Sequence, residues 1–292
     1  MNVPFSLSTA VVDNVWMEEL DASAREVDIN RAVNQFLQLY HFVAAEALVY
    51  LLPTPHVAGL QDLVYCANLG VVLEHLPARN SVILSNFSVA VRAPETDVGE
   101  RFFESMGYEV VKPGHHFEGE AELKHLHDNC YVGGYGTRSD REVYDWMASE
   151  FGMHVIPLCE TDPHLYHLDC TVFPLTREDT LVCTEMYEKE EVSEIEKVTN
   201  IVDVKADDCF SGICNSVRLG NTLLNASHIH ELSREHEDYG YEKQKNRALE
   251  DIAAKFGFEV SFFNLSEFLK SGALLSCMVM HLNRRSYDLV LI

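Results

Sequence analysis

The stretch Arg141-Glu-Val-Tyr-Asp-Trp-Met-Ala-Ser-Glu-Phe-Gly152-Met-His-Val-Ile-Pro-Leu158 decides how the chain is read. Residues Arg141–Phe151 read as an amphipathic helix, Gly152 as its stop, and His154–Leu158 as the short apolar strand that the helix feeds. The same order of helix, glycine and strand stands upstream, where Val98–Met106 is followed by Gly107 and Tyr108–Val111. It returns downstream, where Glu242–Phe256 is followed by Gly257 and Phe258–Phe263.

Strand-like runs precede each helix. Tyr65–Leu73 and Ser81–Val91 stand before the first, and Glu122–Gly134 stands before the second. Leu168–Pro174 and Thr180–Met186 open a further unit that continues with a helix at Val192–Val198 and a strand at Asn200–Val204. Ile213–Leu219 and Thr222–Ala226 open the unit that ends at Phe263. A fifth unit is expected to be split, its strand Cys277–Leu282 completed by N-terminal elements that include a helix at about Glu26–Leu39. A repeat of about 45–50 residues implies a solenoid or closed array. Split termini favour closure, so the expectation is an α/β fold of five ββαβ units in one ring, a single domain over residues 1–292; an open α/β sheet is the alternative.

Composition narrows the partners. Lys and Arg number 22 against 46 Asp and Glu, a formal charge of −24, which disfavours nucleic acid and anionic membranes as partners. With 47% hydrophobic residues the chain has the material for a large core. The N-terminus has no basic region before Arg25, and the greasy run Phe42–Leu52 is interrupted by Glu46, so a soluble, cytoplasmic protein is expected. The eight cysteines are scattered without a Cys-x-x-Cys pair, as suits reduced thiols rather than a structural zinc. A homo-oligomer is a common default for soluble proteins and is the expectation here.

Four segments carry chemistry. His164-Leu-Tyr-His167-Leu-Asp169-Cys170 sets a histidine and a carboxylate on one face if Leu168 lies in a strand, a general acid/base beside a group that orients it or binds a cation. Phe117-Glu118-Gly119-Glu120-Ala121-Glu122 gathers three carboxylates able to hold a guanidinium or ammonium, or simply forms an acidic loop. Ser271-Gly272-Ala-Leu-Leu-Ser276-Cys277-Met278 puts a cysteine at the start of an apolar strand, either a core residue or an exposed nucleophile. Gly133-Gly-Tyr-Gly-Thr-Arg138 is glycine-rich but lacks the spacing of a phosphate loop, leaving Arg138 to meet a carboxylate. His115-His116, His125-Leu-His127, the His164/His167/Asp169 group and His228-Ile-His230 raise a metal reading, but none completes a ligand motif, so neither metal nor cofactor is expected.

Taken in order, these segments resemble the pentein superfamily of guanidine-modifying enzymes, which includes arginine deiminase, dimethylarginine dimethylaminohydrolase, the amidinotransferases and the arginine dihydrolases. The resemblance runs from about Val64 to Met280 and implies a five-bladed ring of ββαβ units. It implies Cys277 as nucleophile, His167 as acid/base, and Glu118 and Asp169 as carboxylates that grip the guanidinium. It places Asn68, Arg92, Glu122 and Arg138 at the substrate, Arg138 on an α-carboxylate, and leaves Asn215 a structural part of the fourth unit. Tyr65-Cys-Ala-Asn68-Leu-Gly70 departs from the aspartate segment of deiminases and is similar to the dihydrolase pattern, as is Arg92-Ala-Pro94-Glu95. Glu122 replaces the usual aspartate, and Ser276 stands where Arg or Lys is common.

The implied activity is hydrolysis of a guanidinium C–N bond through a covalent amidino-cysteine. Arginine dihydrolysis to ornithine, carbon dioxide and ammonia is the leading expectation. A citrulline-forming deiminase or dimethylarginine hydrolase and an amidinotransferase are the alternatives. A binding protein without turnover and a metal-dependent hydrolase are the outer rivals.

Overall fold

In a computed structural model, which describes residues 1–57, 59–78 and 80–283, two helices come first: α1 at Val15–Glu19 and α2 at Ile29–Glu46. The first repeat then lays down β1 (Gly70–Val72), β2 (Ser81–Leu84), α3 (Ala93–Ser105) and β3 (Glu109–Val111). The second has β4 (Leu123–His127), β5 (Cys130–Tyr135), α4 (Glu142–Phe151) and β6 (His154–Cys159). The third has β7 (Val172–Pro174), β8 (Asp179–Val182), α5 (Lys189–Ile195) and β9 (Asn200–Asp203). After α6 (Ala206–Phe210), the fourth has β10 (Val217–Leu219), β11 (Thr222–Ala226), α7 (Glu237–Phe256) and β12 (Glu259–Phe263), and α8 (Ser266–Leu269) follows.

Each repeat makes its own three-stranded sheet with the second strand in the middle. The first strand pairs antiparallel to the middle one, as Gly70 with Leu84, and the third pairs parallel to it, as Ser81 with Glu109. A parallel neighbour cannot be reached by a tight turn, so a helix must intervene; this is why the helix always stands between second and third strands. Gly152 and Gly257 end α4 and α7 with φ of 65° and 77°, the left-handed cap that returns the chain toward its sheet.

The described residues hold four such sheets, an α/β architecture of repeated ββαβ units. The expected strand Cys277–Leu282 does not form: Ser276–Met278 is a 3-10 turn, because the Ser276 amide is taken by Asn215 Oδ1 at 2.8 Å and the next amides bond back to Leu275 and Ser276. The termini still meet. The buried face of α2, with Ala32, Phe36, Leu39 and Val43, packs against Phe263, Leu265, Phe268, Leu275 and Met278. Burying a Phe or Leu is worth about 1.5–3 kcal/mol each, so this seam ties the first forty-odd residues to the last repeat. Among the described residues no helix is long and apolar enough to cross a membrane.

Candidate active site

The residues singled out in the sequence sit in the turns that lead into the first strand of each repeat. Asn68 lies in the 3-10 turn Cys66–Leu69 before β1, and Glu118 immediately precedes the turn Gly119–Ala121 before β4. His167 precedes the turn Leu168–Cys170 before β7, and Asn215 precedes β10. Cys277 lies in the turn Ser276–Met278. The strand expected through Leu168 is therefore a turn, with His167 extended at its start and Asp169 within it. The turns pack on one another. Gly119 has φ of 63°, and a Cβ there would meet Ala67 O at 2.5 Å and Gly70 N at 2.7 Å.

Packing of these turns brings Cys277, Asp169, His167, Glu118 and Asn68 together, all buried. Cys277 Sγ donates to Asp169 Oδ2 at 3.5 Å and accepts from Asn215 Nδ2 at 3.5 Å. Ser276 Oγ donates to the same Asp169 oxygen at 2.5 Å. Burial, and then the Asp169 charge, push the Cys277 thiol up to about 12, against Asn215 and Lys124, which favour the thiolate. At rest Cys277 is thus a thiol.

Across from it, His167 Nε2 donates to Glu118 Oε2 at 2.8 Å, and Nδ1 lies 3.3 Å from Asn68 Nδ2. With Nε2 carrying the proton, Nδ1 is the acceptor of the Asn68 amide. Glu118 also accepts from Ser88 Oγ at 3.0 Å and faces Arg138 Nη1 at 3.6 Å. Burial opposes its charge, but the hydrogen bond and charge of His167, then Arg138 and Arg92, outweigh it and hold the carboxyl at about 2. The other Asn68 atom, Oδ1, is buried without a partner.

Two cavities meet at Cys277 and His167. One is polar and small, about 20 Å³, between Asn68, Arg92, Arg138, Asp62 and the Asp13–Asn14 backbone. The other is about 390 Å³, mostly apolar, and runs past Tyr166, Phe210, Leu274 and Trp16 to carboxylates at Asp207 and Asp238. The strap Asp13–Glu19 lies over both: Asp13 O accepts from Arg138 Nη2 at 2.9 Å, Asn14 Nδ2 donates to Ser271 O at 3.0 Å, and Trp16 Nε1 donates to His164 O at 2.8 Å. Arg92 also forms an ion pair with Glu95 at 2.8 Å.

Glu122 stands apart from the other expected site residues. It lines neither cavity and is fully buried behind the His167–Asp169 turn, where Leu168 N donates to its Oε2 at 3.3 Å. Sequence reading takes Asn215 as structural and Ser276 only as a departure from the family pattern, and it passes over Ser88 and the Asp13–Trp16 strap. Asn215 was legible in principle, because it holds in the fourth repeat the place that Asn68 and Asp169 hold in the first and third. Among the described residues no group of three or more His, Cys, Asp or Glu is arranged to hold a metal ion.

Comparison with known proteins gives a consistent result. A profile of the family described as N,N dimethylarginine dimethylhydrolase, eukaryotic, matches residues 3–284. The bifunctional arginine dihydrolase/ornithine cyclodeaminase AgrE of Nostoc sp. is 27% identical over 95% of this chain, which spans only 36% of AgrE. The N(G),N(G)-dimethylarginine dimethylaminohydrolase of Mycobacterium tuberculosis is 25% identical over 97% of this chain and 85% of its own length. Among solved structures, the N-terminal domain of the cyanobacterial arginine dihydrolase ArgZ, bound to product, superposes with a TM-score of 0.82 at 26% identity over 97% of this chain and 96% of that one.

Proposed function

The chain belongs to the family of N,N-dimethylarginine dimethylhydrolases, eukaryotic, within the pentein superfamily of guanidine-modifying enzymes, and on that footing we propose that it hydrolyses a guanidinium C–N bond through Cys277. The observation that carries the reading is the shared Asp169 oxygen, which accepts from both Cys277 and Ser276 in a site open to two cavities.

A guanidinium that binds Asp169 brings a positive charge beside the thiol. This offsets the two causes that hold Cys277 protonated and generates the thiolate on binding. The thiol proton passes to His167 Nδ1, and Glu118 stabilises the imidazolium so formed through Nε2. Sulfur attacks the central carbon, the C–N bond breaks, and His167 returns the proton to the departing amine, leaving an amidino-thioether. Water, deprotonated by His167, then adds to the carbon and the C–S bond breaks, giving a ureido product and the free thiol.

The finer reading is arginine dihydrolysis, in which the ureido group undergoes a second round to give ornithine, carbon dioxide and a second ammonia. Asn68 supports it: its amide donates to His167, and its unpartnered Oδ1 waits for a donor. An aspartate there would prefer the cationic guanidinium, whereas an amide serves cationic and neutral groups alike. Arg138 and Arg92 beside the polar cavity suit a substrate carboxylate, with the strap at Asp13 moved aside. We further read residues 1–292 as one catalytic domain whose fifth unit is completed by α2, the Asn2–Leu52 bridge and the segment around Cys277.

Incubating the protein with arginine, dimethylarginine and agmatine and weighing the products tests this. Ornithine from arginine is the expected result, and citrulline as sole end product overturns the second round. Cys277→Ser is expected to abolish turnover of every guanidine.

A further inference from the structure

Behind the His167–Asp169 turn lies a second arrangement of acids. Glu122, from the segment leading into β4, and Glu160, immediately after β6, are both buried and point at each other over Gly134. A Cβ on Gly134 would fall 2.5 Å from Glu122 Oε2 and 2.8 Å from Glu160 Oε2, so the glycine leaves the room in which the two carboxyls meet. If both were ionised, Glu122 Oε1 and both Glu160 oxygens would be buried acceptors with no donor. Such atoms are rare, and two like charges in one dry space are costly.

The groups acting on the pair are His167, Glu118 and Asp169 on the site side, and Cys159, Tyr144, Cys170 and Tyr187 on the other. Of these only His167 can carry positive charge, and its Nε2 is already committed to Glu118. Burial raises both carboxyls; the Leu168 amide donates to Glu122 Oε2 and favours charge there, whereas neither Glu160 oxygen has a donor, so the proton resides on Glu160.

We propose that Glu160 and Glu122 form a buried carboxylic acid–carboxylate pair that shares one proton and positions the catalytic turn. Glu160 donates its O–H to Glu122, and Glu122, so oriented, accepts the Leu168 amide between His167 and Asp169. Both are positioning residues: neither lines a cavity. The extra methylene of Glu122, relative to the aspartate common at that place, carries its carboxyl to the far partner.

Infrared difference spectra of the full chain in heavy water at mildly alkaline pH read the proton directly. Wild type minus Glu160→Gln is expected to show one protonated-carboxyl carbonyl band that the variant lacks; absence of the band overturns the shared proton. Activity supplies the second arm, which rests on the guanidine hydrolase reading. Glu160→Gln keeps a donor toward Glu122 and is expected to retain kcat within a few-fold, whereas Glu160→Met, of similar volume but without a donor, is expected to lose about tenfold or more in kcat with KM little changed. Equal kcat in the two variants overturns the positioning role. Should no guanidine be turned over by any form, the hydrolase reading fails, and the infrared band still decides the pair.

Discussion

Cys277 Sγ lies 3.5 Å from Asp169 Oδ2, close enough for the thiol to donate to the carboxylate that, on the proposed mechanism, also receives the substrate cation. The two functions compete. With no cation present, the carboxylate keeps the proton on sulfur; when a cation takes up the carboxylate, the thiol loses its acceptor and gains a positive neighbour. On the proposed mechanism the nucleophile is inert at rest and armed by its own substrate, which protects it from adventitious electrophiles.

Asp169→Asn should therefore lower the resting pKa of Cys277 from about 12, because the charge second only to burial in raising it is removed. The rate of alkylation by a small neutral electrophile, followed against pH, is expected to rise at lower pH in the variant than in the wild type. Turnover is expected to fall at the same time by at least two orders of magnitude, as the guanidinium loses its anchor. An unchanged alkylation profile would show that Asp169 does not govern the thiol.

Glu118 makes an acid-side prediction. Its carboxyl is held at about 2 in the folded protein, below the ordinary value of 4.5. A lowered carboxylate pKa contributes stability that is present above the ordinary value and lost as pH falls through the folded one, so the window is about pH 4.5 down to 2. Thermal midpoints of Glu118→Gln should be lower than wild type at neutral pH, with the gap closing on acidification. A gap that widens instead would reverse the sign and remove the His167–Glu118 pair as its cause.

How much of this was legible follows from what kind of signal each part leaves. Helix–glycine–strand order at Phe151-Gly152 and Phe256-Gly257 is local chemistry, and the structure keeps it. The turns at Cys66–Leu69, Leu168–Cys170 and Ser276–Met278 read as strand because they are apolar, short and continuous in pattern with strand-like runs; side chains of other repeats take the Leu168 and Ser276 amides, which no local pattern records. Asn215 reads as structural and Glu122 as a substrate contact, whereas packing of the repeats sets Asn215 against Cys277 Sγ and Glu122 against the Leu168 amide. Only the shared geometry of the turns shows that equivalent positions in different repeats face one site.

Gly119 is the residue on which that convergence depends most tightly. Its φ of 63° costs an L-residue about 1–2 kcal/mol, and a methyl group there would also press on Ala67 O and Gly70 N. Neither backbone group can swing aside without moving the turn that carries Asn68. Gly119→Ala is expected to lower unfolding free energy by more than about 2 kcal/mol in urea and to reduce kcat together with stability. Full activity at native stability would mean the two turns are not held in register by this contact.

Asn68 supplies the sharpest test of chemistry against fold. In place of its amide, Asn68→Asp sets an acceptor against His167 Nδ1, 3.3 Å away in the wild type. The imidazole must then carry a proton on Nδ1 to satisfy the new carboxylate, which leaves no free lone pair there to collect the thiol proton. The new charge also favours the cationic guanidinium over the neutral ureido group, so the first product is held less well than the substrate. With arginine as substrate, the variant should release citrulline as its main product, while the wild type is expected to go on to ornithine, with the guanidino carbon leaving as carbon dioxide. The two effects separate in kinetics: the charge effect changes the product ratio, and the proton effect lowers the rate of both rounds. Amino acid analysis of the products across pH reads both at once, and a product ratio unchanged from wild type would show that position 68 does not choose between one round and two.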